Sequence, residues 1–136
     1  LDAATGEQVW RFPGDNWFWS GAVADGERVY AGSLDGNIYA LDGATGALRW
    51  RHSTGGAILA TPALLSEGLA VASQGESIFL LDPRNGNEIW KYNAGSPVFA
   101  PLQGVGRRVY LVAQDHTVRA LDVAARRIAW TISTKD

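Results

Sequence analysis

Ala40-Leu41-Asp42-Gly43-Ala44-Thr45-Gly46-Ala47-Leu48-Arg49-Trp50 holds one of four versions of a phrase spaced 40 residues apart. The phrase opens at Leu1-Asp2, Leu41-Asp42, Leu81-Asp82 and Leu121-Asp122 and closes at Trp10, Trp50, Trp90 and Trp130, with no insertion or deletion. Self-similarity at this period marks a row of supersecondary units that bury their faces against one another. Positions 17, 57 and 97 fall in the same frame, so the intervening segments repeat as well.

In the second full repeat, four β-like runs occupy about 57–64, 68–74, 77–82 and 87–93, here strands A to D. Val29-Tyr30-Ala31, Ile38-Tyr39-Ala40 and Val109-Tyr110-Leu111 supply the β-branched and aromatic residues that suit a pleated, half-buried surface. Helical spacing of apolar residues is not sustained anywhere. Asp25-Gly26, Asp35-Gly36, Thr45-Gly46 and Asn85-Gly86 separate the runs with residues that accept positive φ cheaply. The links are tight, so each repeat reads as a four-stranded antiparallel meander, the blade of a β-propeller.

The expected fold is therefore all-β, with complete blades at 13–52, 53–92 and 93–132. Residues 1–12 read as the outer strand of a preceding blade, its strand D at 7–12, and 133–136 as a tail. Propellers close with about four to eight blades, so the ring is incomplete. The missing part is expected either from a longer chain, of which this is an excerpt, or from further copies. The opening in mid-phrase at Leu1, without Met or signal sequence, favours the excerpt.

Each residue type in the phrase has a physical job. A Trp on strand D can cover ~150–250 Å² of an adjacent blade. Asp2, Asp42, Asp82 and Asp122 open the C–D turn, where a carboxylate accepts turn N–H groups. Gly6, Gly46 and Gly86 suit a left-handed backbone, whereas Arg126 stands at the equivalent place in the last repeat. A side chain there costs ~1 kcal/mol if the turn keeps its shape, so a distorted or longer turn is expected.

With 136 residues, 46% hydrophobic and 19% charged, the composition is that of a folded domain. Twelve basic against 14 acidic residues give no global field for nucleic acid or an anionic membrane. The charge is uneven: residues 1–106 sum to −5 (6 basic, 11 acidic) and 107–136 to +3 (6 basic, 3 acidic). The absence of cysteine excludes disulfides, thiolate metal sites and a cysteine nucleophile. The longest largely apolar run, 57–65, is interrupted by Thr61 and Pro62 and is far shorter than the ~20 residues of a membrane-spanning helix.

The candidate sites are the places that depart from the phrase. Trp17-Phe18-Trp19 aligns with Ala57-Ile58-Leu59 and Pro97-Val98-Phe99, so Trp17 is bulkier than repeat packing requires. Trp17 and Trp19 read either as an aromatic platform at the channel mouth for a flat ligand or a partner side chain, or as filling between blades. Arg107-Arg108 in an A–B turn and Arg126-Arg127 in a C–D turn share one end of one blade, as a basic patch for an acidic partner or phosphate groups, or as solubilising charge. His52 and His116 have no metal or triad spacing and read as exposed loop residues. Asp15-Asn16, Asp25-Gly26-Glu27 and Asp35-Gly36-Asn37 lack the donors of a calcium loop and read as turns.

The phrase from Ala40 to Trp50 resembles the tryptophan-docking motif of pyrroloquinoline-quinone-type (quinoprotein-like) propellers. Leu80 and Asn85 depart from it in the third copy and Ala125-Arg126 in the fourth. The resemblance covers the whole chain. It implies a rigid, non-catalytic interaction scaffold of the BamB-like branch, in the periplasm, at the outer membrane or secreted, with a protein partner and no cofactor or metal. Two alternatives share the motif: an extracytoplasmic ligand-sensing domain and a fragment of a quinone-dependent dehydrogenase. The dehydrogenase reading implies a calcium ion, a catalytic Asp and often paired cysteines; neither the ligands nor that Asp can be assigned here.

Overall fold

Short apolar runs divided by glycine turns give each 40-residue repeat one antiparallel sheet. The computed structural model describes residues 1–98 and 100–134. Blade 1 comprises β1 (Val23–Ala24), β2 (Arg28–Gly32), β3 (Asn37–Asp42) and β4 (Leu48–Ser53). Blade 2 comprises β5 (Ala63–Leu65), β6 (Gly68–Ala72), β7 (Ser77–Leu81) and β8 (Glu88–Asn93). Blade 3 comprises β9 (Gln103–Val105), β10 (Arg108–Ala113), β11 (Thr117–Asp122) and β12 (Arg127–Ser133). Each blade is a meander with strands in chain order, and the three sheets do not join into one. The protein is thus an all-β arc of propeller blades.

The inner strands are shorter than the sequence suggests. Strand A of blade 2 was expected over 57–64, but only Ala63–Leu65 forms a ladder. Its preceding backbone is spent on other partners. The Ala57 carbonyl accepts the Gln74 N–H at 2.9 Å, and the Ile58 N–H donates to Ser33 of blade 1 at 3.1 Å. Thr61 then bridges both neighbours: its hydroxyl accepts the Gly21 N–H at 3.0 Å and its carbonyl the Leu102 N–H at 3.1 Å. The inner segment is held by its own blade through Gln74 and by both neighbouring blades through Ser33, Gly21 and Leu102, without lengthening the ladder. Residues 7–12 form no ladder either, because no neighbouring strand among the described residues pairs with them.

Tryptophan docking joins the blades from outside. The Trp10 indole N–H donates to the Gly43 carbonyl at 2.8 Å, and that of Trp50 to the Pro83 carbonyl at 2.9 Å. Each ring lies over the turn glycine of the next blade: a Cβ on Gly46 would sit 2.6 Å from the Trp10 ring, and one on Gly86 2.5 Å from the Trp50 ring. Both glycines also have positive φ, +74° and +76°. A bulge between Ala40 and Leu41, repeated at Leu80/Leu81 and Ala120/Leu121, kinks strand D against strand C next to each Trp.

A second row of contacts, also 40 residues apart, runs beside the first. Phe12 meets Tyr39 with ring centroids 5.5 Å apart, His52 meets Phe79 at 5.7 Å, and the Tyr92 hydroxyl accepts from the Arg119 guanidinium at 3.0 Å. His52 is therefore not an exposed loop residue. It lies half-buried in β4, because strand D turns this position toward the next blade. His116 is exposed in its turn.

The core is two inter-blade layers rather than one centre. Tyr30, Ile38, Ile58, Leu69, Val71 and Leu81 fill the space between blades 1 and 2. Ile78, Leu80, Val98, Val109, Leu111 and Leu121 fill that between blades 2 and 3. The outward face of blade 3 repeats the blade 1 surface that blade 2 covers, yet lies open: Trp50 is 9% exposed and its equivalent Trp130 37%.

Replacing Trp50 with Ala should cost ~3–5 kcal/mol, the usual loss for a buried aromatic, while Trp130→Ala costs less than half as much. Urea unfolding of the two variants checks the difference, and equal losses would contradict docking as the source of stability.

Candidate interaction surfaces

The backbone of the aromatic segment is held while its side chains point out. The Trp17 carbonyl accepts the Leu34 N–H at 2.9 Å and the Ser33 hydroxyl at 3.3 Å, and the Asn16 side chain accepts the Trp17 N–H at 2.8 Å. Ala57 and Pro97 accept the equivalent bonds from Gln74 and Gln114 at 2.9 and 3.0 Å. The three positions thus share one backbone geometry and differ in side chain. Ala57 and Pro97 are half-buried, but Trp17 is 72% exposed and Trp19 65%. Trp17 fills no space between the described blades. Phe18 differs from both: Ile58 and Val98, its equivalents, are buried between blades, and Phe18 packs edge-on against Tyr39 at 5.7 Å. Phe99, aligned with Trp19, lies outside the described residues.

The four arginines come together at the other end of the sheets. Arg107 lies in the A–B turn, Arg108 opens β10, Arg126 ends the C–D turn and Arg127 opens β12. Across the ladder Arg108 stands opposite Asp122, and Asp122 opposite Arg127. The Arg107 guanidinium pairs with Asp122 at 3.1 Å, and the Arg107 carbonyl accepts the Val123 N–H at 2.9 Å. All four side chains are exposed. Sequence spacing places the pairs at one end; the register sets Arg108 and Arg127 on either side of buried Asp122, with which Arg107 pairs.

The final C–D turn corrects the expected distortion or lengthening. Leu121 and Ile128 pair as Leu41 and Leu48 do, so the turn keeps its length, and Arg126 adopts φ +55°. The ladder even gains the Asp122–Arg127 pair. The Asp122 carboxylate still accepts a turn N–H, that of Ala125 at 2.9 Å, and Arg126 carries the left-handed strain. What changes is the docking. Gly46 and Gly86 are buried beneath a Trp, whereas Arg126 is exposed. Trp90, which would lie over position 126, makes no indole hydrogen bond like those of Trp10 and Trp50 among the described residues.

The turn carboxylates are held ionised. Hydrogen bonding from Arg49, then from the Thr45 and Ala44 N–H groups, keeps Asp42 well below the usual range. Arg84 lowers Asp82, the Thr117 hydroxyl lowers Asp115, and the Ala125 N–H followed by the charge of Arg107 lowers Asp122. In Tyr30, burial and then its bond to Asp25 push the phenol up to about 12. No group of three or more His, Asp or Glu side chains is placed to hold a metal among the described residues.

Meanders in chain order, inter-blade cores and tryptophans docked on turn glycines define a tryptophan-docking β-propeller arc. A family model described as outer membrane protein assembly factor BamB matches residues 1–67 and again 63–136, and the chain belongs to that family. The crystal structure of BamB from Moraxella catarrhalis is similar, with 26% identity and a TM-score of 0.80. The match covers 92% of this chain and 39% of that one, so the chain spans well under half of its relative. The computationally designed Ika8 protein shares the fold at 16% identity and a TM-score of 0.72, over 84% of this chain and 36% of the other. Among curated proteins no match is found.

Two outcomes follow from the turns. Arg126→Gly should raise stability by ~1 kcal/mol by relieving the left-handed strain, readable as a higher urea midpoint; a lower midpoint would contradict it. Carboxylates with folded pKa values below their unfolded ~3.9 stabilise the fold above that pH and cease to as the pH falls through the folded values. The urea midpoint should therefore be steady from neutral pH to about 5 and fall below about 4; a rise on acidification would contradict this.

Proposed function

We propose that the chain is a rigid, non-catalytic protein-interaction scaffold of the BamB type, working in the periplasm or at the outer membrane. The observation that carries this reading is Trp17, 72% exposed on a backbone anchored like its half-buried counterparts Ala57 and Pro97. Exposed tryptophans on anchored backbone suit protein contacts, because a large ring is presented at small entropic cost. Trp19 extends the platform. Family membership supports the scaffold role at the level of the fold.

The open face of blade 3 and the apolar groove of about 210 Å³ on blade 1, lined by Trp10, Phe12, Phe18, Val29 and Leu41, suit completion by further blades. No helix among the described residues is long and apolar enough to cross a membrane.

Affinity capture from solubilised outer-membrane fractions tests the role. The chain should retain a discrete partner, and Trp17→Ala should cut retention about tenfold or more with the melting temperature unchanged within about 2 °C. Unchanged capture, or a large fall in melting temperature, would defeat the assignment of Trp17.

A further inference from the structure

The basic end of blade 3 carries charge that its turns do not use. In blades 1 and 2 the turn arginines are matched to local carboxylates: Arg49 to Asp42, Arg84 to Asp82 at 2.9 Å, and Arg28 to Glu27 at 3.6 Å and Asp25 at 3.9 Å. In blade 3, Asp122 pairs with Arg107 and lies across the ladder from Arg108 and Arg127, while Arg126 ends the turn that Asp122 precedes. Asp122 is buried and accepts the Ala125 N–H at 2.9 Å. Arg108, Arg126 and Arg127 have no ion pair among the described residues.

Arg126 adds an independent observation. It holds a left-handed backbone where the other blades place glycine, and its side chain stays in solvent. Strain without a packing return points to a role outside the fold.

We propose that this end of blade 3 is a docking site for an acidic peptide segment of a protein partner. The inference rests on the scaffold reading and specifies the partner's chemistry. Guanidinium forks pair with carboxylates in bidentate fashion, and several on one edge can grip successive acidic side chains. The extent of the patch favours a short segment over a membrane or a nucleic acid. Residues 1–106 sum to −5 (6 basic, 11 acidic), so an extended polyanion that overruns the patch meets repulsion. A peptide confined to the four arginines does not, because screening limits the opposing charges to about 8–10 Å.

Fluorescence anisotropy of a short labelled peptide of alternating Glu and Gly, titrated with the full chain, tests the site. Saturable binding that weakens several-fold from low to physiological ionic strength is expected. Arg108→Ser combined with Arg127→Ser should weaken it about tenfold. Arg126→Gly should weaken it while raising the melting temperature, which separates lost contact from lost fold. Equal affinity in the wild type and these variants would overturn the proposal. So would tighter binding of phosphatidylglycerol vesicles or duplex DNA than of the peptide through the same arginines. Peptide binding lost in Trp17→Ala but kept in the arginine variants would overturn this site while leaving the scaffold reading intact.

Discussion

A flat indole can rest on a turn only where the turn has no Cβ, and much of this architecture follows from that restriction. At Gly46 and Gly86 two demands coincide: a left-handed backbone that closes the C–D turn, and an empty space in which Trp10 or Trp50 lies. Either demand favours glycine; together they tie the turn of one blade to the outer strand of its neighbour. The indole hydrogen bonds to Gly43 and Pro83 then fix how the rings sit. Burial of such rings supplies stabilisation that a lone four-stranded sheet cannot find in its own faces.

The seam between blades 2 and 3 meets that restriction differently. With Arg126 in place of glycine, Trp90 packs half-buried against the core without the indole hydrogen bond of Trp10 and Trp50 among the described residues, and the neighbouring row carries a polar clamp. Arg119 is buried there, donating to the Tyr92 hydroxyl at 3.0 Å, the Ala94 carbonyl at 2.7 Å and the Thr117 hydroxyl at 2.9 Å, with Asp115 as its ion partner. Buried guanidinium groups are tolerable only when paired and hydrogen-bonded, and this one is. The corresponding places in the first two seams hold Phe12 on Tyr39 and His52 on Phe79. Each seam therefore carries a different pair of side chains in one geometry.

The two candidate surfaces were legible to different degrees. Trp17 stood out because repeats supply their own reference: three aligned positions, two small residues and one large. Its exposure depends on the neighbouring backbone and could not be read from the alignment. The arginine pairs could be placed at one blade end from turn positions, whereas the setting of Arg108 and Arg127 on either side of buried Asp122 needed the β10–β11–β12 register. The second docking row leaves no signature in the sequence, since Phe12, His52 and Tyr92 share a spacing but no residue type.

By itself, the sequence determined the number of blades, the order of their strands and the turns between them, because an unbroken 40-residue period with glycine turns admits only local antiparallel pairing. Tertiary structure alone decided which faces meet. Inner segments divide their hydrogen bonds between their own blade and its neighbours, His52 is drawn into a seam, and Arg126 keeps a glycine's conformation. These outcomes depend on atoms about 40 residues apart in the chain competing for the same backbone groups and the same space, which local pattern does not encode.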